Sequence, residues 1–274
     1  MMKDKKIGFI GAGNMGSAMI GGICRSGLVT PDQLMASAHT SATLEKLYRT
    51  YGIGTTLSNQ EVAATSDILF LAVKPNKFSE ILPCLADVLK TDCVVVSVAA
   101  GWSISKIEAL LGTGIKLVRA MPNTPALVGE SMSALCHNAN VTDAEFALIK
   151  QLFECFGKAE SVPESMMDAV IGVSGSSPAY VYMFIEAMAD AAVADGMPRP
   201  IAYTFAAQSV LGAAKMVLDT GKHPGELKDA VCSPGGTTIE AVASLEAGGF
   251  RDAVITAQRA CVQKSKDLTS GKTN

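Results

Sequence analysis

Ile7-Gly-Phe-Ile10-Gly11-Ala12-Gly13-Asn14-Met15-Gly16 is the stretch that decides the fold. The apolar run Ile7–Ile10 predicts a short strand, and the glycines after it predict a tight turn opening a helix. A Gly-x-Gly-x-x-Gly turn in that setting offers backbone amides and a helix N-terminus to a pyrophosphate group. Taken alone the pattern also fits a purely structural glycine turn, so the downstream residues decide its meaning.

Working outward, residues 7–125 alternate short apolar runs with helical patterns. Ile7–Ile10, Gln33–Ser37, Ile68–Val73, Cys93–Val98 and Lys116–Ala120 are expected strands. Alternation of this kind implies parallel strands joined by crossover helices. Ile68–Val73 and Cys93–Val98 are apolar on both faces, as a sheet covered by helices on both sides requires. The expected fold class is therefore α/β, with an N-terminal Rossmann-type, doubly wound parallel sheet.

Near Ser161-Val-Pro163 the pattern changes, and no strand is expected from Glu164 onward. Helices are predicted over 178–195, 199–219, 224–231, 236–246 and 250–268, separated by Gly/Pro-rich breaks such as Gly196-Met-Pro198 and Gly221-Lys-His-Pro224. The expected division is a cofactor domain over 1–162 and an all-α domain over 163–274. Apolar residues nearly encircle the helices at 178–195 and 200–214, so one face should pack on the chain's own core and the other on a second copy. A homo-oligomer is the expectation.

Hydrophobic residues make up 49 % of the chain but aromatics only 5 %, so the interior must rely on small and aliphatic side chains, which suits closely packed helices. A net charge of −3 without basic runs gives no nucleic-acid footprint. The seven cysteines have no CxxC or CxxH spacing and read as reduced, buried thiols of a cytoplasmic protein. Lys3 to Lys6 followed by an uncharged stretch imitates a secretory signal, but six glycines between Ile7 and Cys24 favour a strand and turn. The uncharged stretch Ala169–Ile185 is too short for a membrane span, so no membrane association is expected.

An NAD-preferring site carries an acidic residue about 20 positions after the glycines to grip the ribose hydroxyls. Here the corresponding stretch is Ser37-Ala-His39-Thr40-Ser41, whose hydroxyls and imidazole accommodate a 2′-phosphate; NADP is favoured. Ala72-Val73-Lys74-Pro75, Ala99-Ala100-Gly101 and Met121-Pro-Asn123-Thr-Pro125 end later strands, where an open α/β sheet places its ligand crevice, and the nicotinamide is expected there. Lys74 is equally readable as a surface lysine, and Asn123 as a turn residue between prolines. In the helical half, Ser233-Pro-Gly235-Gly236-Thr237-Thr238 opens a helix with free amides and two hydroxyls, a pattern suited to a carboxylate. A capped helix start would need only one of those hydroxyls. Gly172-Val-Ser174-Gly-Ser176-Ser177-Pro-Ala-Tyr180 is a second small-residue turn, open to close backbone approach or to plain helix packing. His39, His137 and His223 stand apart, with no neighbour suggesting a metal site or a triad. Reduction of a protonated imine, already electrophilic, needs orientation more than a strong base, and hydroxyls are what this chain offers.

These motifs together, with Arg119-Ala-Met-Pro-Asn-Thr-Pro125 added, resemble the pyrroline-5-carboxylate reductase family in order and spacing over nearly the whole chain. Ser-Pro-Gly-Gly-Thr-Thr is far more specific than the glycine fingerprint. The resemblance implies an oxidoreductase of proline biosynthesis that delivers a hydride from NADPH, with NADH as the lesser donor, to 1-pyrroline-5-carboxylate. It implies a homodimer that assembles to a decamer, with a site shared between subunits. By position it implies that Asn59 and the Ser37 region meet the adenosine ribose phosphate, and that Ala72 to Pro75 line the cofactor. It also implies that Glu164, Thr237 and Thr238 reach the substrate, Thr238 as the catalytic hydroxyl near the ring nitrogen. One departure stands out: Ser177 occupies a position where the family usually has Gly, at a cost of about 1 kcal/mol if the backbone there needs positive φ.

Two other readings compete. A β-hydroxyacid dehydrogenase would carry a lysine shortly after a glycine motif on the interdomain helix, and Gly172–Glu186 contains none. A non-catalytic NADP sensor would keep the fingerprint and have no use for Ser233 to Thr238.

Overall fold

The computed structural model of the chain describes residues 2–271. Its strands are β1 (Ile7–Ile10), β2 (Leu34–Ser37), β3 (Gly54–Thr56), β4 (Ile68–Leu71), β5 (Val94–Ser97), β6 (Lys116–Met121), β7 (Ser131–His137) and β8 (Gly157–Ser161). The helices are α1 (Asn14–Ser26), α2 (Ser41–Tyr51), α3 (Asn59–Thr65), α4 (Phe78–Ile81), α5 (Ile104–Leu111), α6 (Asp143–Glu154), α7 (Met167–Val170), α8 (Ser177–Ala194), α9 (Arg199–Thr220), α10 (Pro224–Val231), α11 (Thr237–Ala247) and α12 (Phe250–Ser270).

All eight strands form one sheet in the order β3-β2-β1-β4-β5-β6-β7-β8. Pairings are parallel except β6 with β7. The five expected strands are present within a residue or two. Gln33 falls just outside β2, where its side-chain amide donates to the carbonyls of Met2 and Lys5 at 2.7 and 2.9 Å. Three further strands, β3, β7 and β8, extend the sheet beyond the sequence expectation.

Alternate residues of each central strand enter opposite cores. Phe9, Phe70, Val96 and Val118 pack with Ile20 and Ile23 of α1 and Phe153 of α6. Ile10, Leu71, Val95 and Leu117 pack on the other face with Phe78, Ile107 and Leu111. Phe9 and Phe70 stack at 4.5 Å between centroids on neighbouring strands, which fixes the β1–β4 register beneath the glycine turn.

Residues up to Ser176, joined by those from Cys261 onward, make one compact unit, and Ser177–Ala260 make a second. In the first, Ser265 Oγ of α12 donates to Asp168 Oδ1 at 2.6 Å, tying the last helix to α7. In the second, α8 and α9 meet through Ala189, Ala202 and Ala206, all buried; methyl side chains let the helix axes approach closely. Their remaining apolar surface is uncovered: Tyr182, Met183, Phe205 and Leu218 are 60 to 69 % exposed. Among the described residues α9 alone is long and apolar enough to cross a membrane by length and composition. All seven cysteines are free, but only Cys93 and Cys136 are buried, fewer than the sequence reading expected.

Candidate active site

The strand order reverses between β1 and β4, so the chain leaves these neighbours in opposite directions and opens a crevice beyond their C-terminal ends. Gly11 turns there at φ +98°, and a Cβ on it would stand 2.8 Å from the backbone of Ala72. A Cβ on Gly16 would stand 2.3 Å from the Gly11 carbonyl oxygen. Both positions therefore exclude any side chain. A Cβ on Gly13 would meet nothing within 4 Å; it would project into open space in front of α1. That helix begins without a side-chain cap and without an acidic residue in its first turn. Its leading amides and positive dipole end remain available to an anion.

A pocket of about 610 Å³ adjoins this turn, and it gathers Gly11, Ala12, Gly13, Asn59, Ala72, Val73 and Lys74 from the residues expected to meet the cofactor. His39, Thr40 and Thr43 complete the side near the end of β2 and the start of α2. Leu57, Lys77, Glu80 and Ile81 also line it and were not foreseen; they come from a loop, a short turn and the one-turn helix α4, none of which carries a motif. Lys77 Nζ pairs with Glu80 at 2.7 Å, and this bond holds the Glu80 carboxyl below the usual carboxylate range. With that pair self-neutralised, Lys74 leaves the rim net positive, suited to phosphate.

Asn14 and Met15 begin α1, Ser37 ends β2 and Pro75 follows Lys74; none of them is in the pocket lining itself. Ser37 is fully buried and donates to Asn59 Oδ1 at 2.7 Å, acting on the pocket through that side chain. Ala99, Ala100 and Gly101 form the turn beyond β5, with Gly101 at φ +76°. Trp102 Nε1 donates to the Pro75 carbonyl at 3.0 Å, and its ring packs on Phe78 at 5.0 Å, joining this turn to the one after β4.

Asn123 is buried and engaged within the protein. Its Nδ2 donates to the Ser174 carbonyl at 3.0 Å, while its Oδ1 accepts from Ser131 Oγ and the Met132 amide at 3.1 and 3.0 Å. It lies outside the pocket lining. Glu164 Oε1 accepts from Arg119 Nη1 at 2.9 Å and from the Ile104 amide at 2.8 Å. Burial, reinforced by the Glu164 charge, pushes the nearby Cys136 thiol up to about 11, so it is no nucleophile at neutral pH.

In the second unit, Ser233, Gly235, Gly236, Thr237 and Thr238 lead into α11. Gly235 sits at φ +68°, and a Cβ on Gly236 would stand 2.3 Å from Ser233 Oγ. No side chain caps this helix either, so neither threonine is spent as a cap. A short π-helix over Ile171–Gly175 precedes α8. Among the described residues no non-glycine has positive φ, so Ser177 carries no left-handed strain in place of glycine.

The groups present fit a phosphorylated dinucleotide: an uncapped helix start behind two glycines that admit no side chain, open space at Gly13, no carboxylate where the ribose hydroxyls would be gripped, and Lys74 on the rim.

A family model described as pyrroline-5-carboxylate reductase dimerisation matches residues 164–268, and one described as NADP oxidoreductase, coenzyme F420-dependent, matches 6–101. Pyrroline-5-carboxylate reductase of Escherichia coli (strain K12) is 53 % identical over 97 % of this chain and 99 % of its own length. That of Methanosarcina acetivorans is 46 % identical over the same shares. The crystal structure of Plasmodium falciparum pyrroline carboxylate reductase with NADP bound superposes with a TM-score of 0.90 at 33 % identity, covering 98 % of this chain and 100 % of that one. Prephenate dehydrogenase of Aquifex aeolicus, at 16 % identity and a TM-score of 0.54, shares the fold alone.

Proposed function

This chain belongs to the pyrroline-5-carboxylate reductase family, and from that membership we infer that it reduces 1-pyrroline-5-carboxylate to L-proline with NADPH as donor. The observation that carries the reading is the near-full-length identity of 53 %, which spans both the glycine turn and Ser233 to Thr238. The product is an amino acid, so the enzyme is one of proline biosynthesis.

When bound, NADPH supplies the hydride for the carbon of the C=N bond, and one proton completes the secondary amine. The chain's own groups orient the partners. Gly11, Ala12, Gly13, Asn14 and Met15 hold the pyrophosphate, a role supported by the uncapped start of α1. Asn59 meets the ribose phosphate and Ser37 serves it from behind, supported by their mutual hydrogen bond at the pocket edge. Ala72, Val73, Lys74 and Pro75 line the cofactor's middle. Ala99, Ala100 and Gly101 face the nicotinamide. Asn123 acts from behind, since its amide ties the end of β6 to β7 and to the turn before α8. Ser233, Gly235, Gly236 and Thr237 take the substrate carboxylate on helix amides and hydroxyls, Glu164 bounds the substrate, and Thr238 donates toward the ring nitrogen.

The enzyme is oligomeric, a state supported by its match to a dimerisation model. Residues 163–274 form the dimer, dimers assemble to a decamer, and the cytoplasm is its compartment. The uncovered apolar face of α8 and α9 supports the first of these.

Cofactor absorbance followed with 1-pyrroline-5-carboxylate and NADPH tests the reading, with a 3-hydroxy acid and NADP⁺ run alongside. Imine-dependent oxidation that yields proline is expected. Turnover of the hydroxy acid alone would make the chain a dehydrogenase, and cofactor binding without turnover would make it a sensor.

A further inference from the structure

Arg119 is 3 % exposed on β6, and its guanidinium makes one bond from Nη1 while Nε and Nη2, both buried, have no partner. A guanidinium taken out of water with most of its donors unpaired destabilises the fold, and an unbranched apolar side chain would fill the same space without that cost. Stability does not account for this residue; position does. The Glu164 oxygen that Arg119 holds is the one that accepts the Ile104 amide, the first residue of α5. The segment entering α5 is Ala99 to Ser103, the loop that Trp102 also fastens to Pro75. One ion pair thus anchors the downstream end of a loop whose middle is pinned to the other wall of the crevice.

We infer that Arg119 is a positioning residue for hydride transfer: acting through Glu164, it fixes the Ala99 to Ser103 loop at the nicotinamide end of the crevice. The inference rests on the proposed function, which puts the nicotinamide at that loop. It separates two quantities. The phosphates are held by the glycine turn and the β2 side of the pocket, so cofactor affinity does not depend on Arg119. The geometry of hydride delivery does, because small displacements of the reacting partners cost large factors in rate.

The test compares wild type, Arg119→Met and Arg119→Lys as purified oligomers, reading the thermal midpoint, NADPH Kd by cofactor fluorescence, and kcat and KM for 1-pyrroline-5-carboxylate. Arg119→Met is expected to keep a midpoint at or above wild type and an NADPH Kd within about 3-fold, with kcat lower by about 10- to 100-fold. Arg119→Lys, which restores the charge pair, is expected to recover most of that loss. A kcat for Arg119→Met within about 2-fold of wild type would overturn the inference. So would midpoint, Kd and kcat falling together with lysine no better than methionine, which is the signature of a merely structural residue. Should Arg119→Met fail to fold, Arg119→Lys decides: near-wild-type kcat supports the inference, and losses of equal size in Kd and kcat refute it. Wild-type turnover separates the two claims, since without it the proposed function and this inference fall together, whereas with it the variants alone decide.

Discussion

Ser37 Oγ donates to Asn59 Oδ1 at 2.7 Å, so the end of the Asn59 amide left for the pocket is its donor, Nδ2. Ser37 is buried, with the Phe9 carbonyl 3.5 Å from the same hydroxyl, so it holds the Asn59 side chain in place at the pocket edge. Asn59→Asp would turn a negative oxygen toward the 2′-phosphate. Catalytic efficiency with NADPH should fall by about 10- to 100-fold and that with NADH by less than about 3-fold. Equal losses with both donors in steady-state assays would contradict this role.

Thr238 stands in the first turn of α11 with no capping duty, and we propose its hydroxyl as the donor to the substrate nitrogen. Losing one such bond at the reacting centre costs about 1.5 to 3 kcal/mol, or roughly 10- to 100-fold in rate. Thr238→Ala should therefore lower kcat on the imine by that factor while NADPH titration stays at wild type. Thr238→Ser should restore most of the rate. An alanine variant with full turnover would remove Thr238 from the mechanism.

Phe205 is 63 % exposed on α9, beside other uncovered apolar side chains. The dimer proposed above would cover this surface, and a buried unpaired carboxylate there is strongly disfavoured. Phe205→Asp should yield monomers by light scattering, with imine reduction reduced at least about 100-fold, while the circular dichroism spectrum remains helical. Full activity in a monodisperse monomer would show that the oligomer is dispensable.

Asp67 joins β4 to its surroundings by accepting the Lys6 amide at 2.8 Å and Lys90 Nζ at 2.9 Å. Burial pulls its pKa upward, but these donors and the lysine charges outweigh it, and the carboxyl lies below its usual range. A depressed folded pKa contributes stability that is present above the unfolded value, about 3.9, and is lost as pH falls through the folded one. Asp67→Asn should thus be less stable than wild type by about 1 to 2 kcal/mol at pH 7 in urea unfolding. The gap should close toward about pH 2; an unchanged gap there would contradict the assignment.

The central strands were legible because both faces of β4 and β5 are apolar, and the helix boundaries because glycine and proline mark them. β7 was hidden by its own chemistry. Ser131 and Ser133 are buried, with their hydroxyls 3.3 Å apart and Ser131 bonded to Asn123, so the inward face reads as polar. β8 buries only Ala159, and β3 is three residues long, so neither shows a period. The glycine turn of the pocket was readable from spacing, whereas Leu57, Lys77, Glu80 and Ile81 arrive through the third dimension. Arg119 and Glu164 lie 45 residues apart, and no local pattern announces their pairing. Nor does periodicity say that α12, from Cys261, belongs with the sheet-bearing unit.

Hydride transfer itself is tested by a single turnover of 1-pyrroline-5-carboxylate with NADPH carrying deuterium at the transferable position. One deuterium per proline is expected, on the ring carbon that was double-bonded to nitrogen, in amounts equal to the cofactor oxidised. Unlabelled proline, or oxidation of NADPH without proline, would contradict direct hydride transfer to the imine.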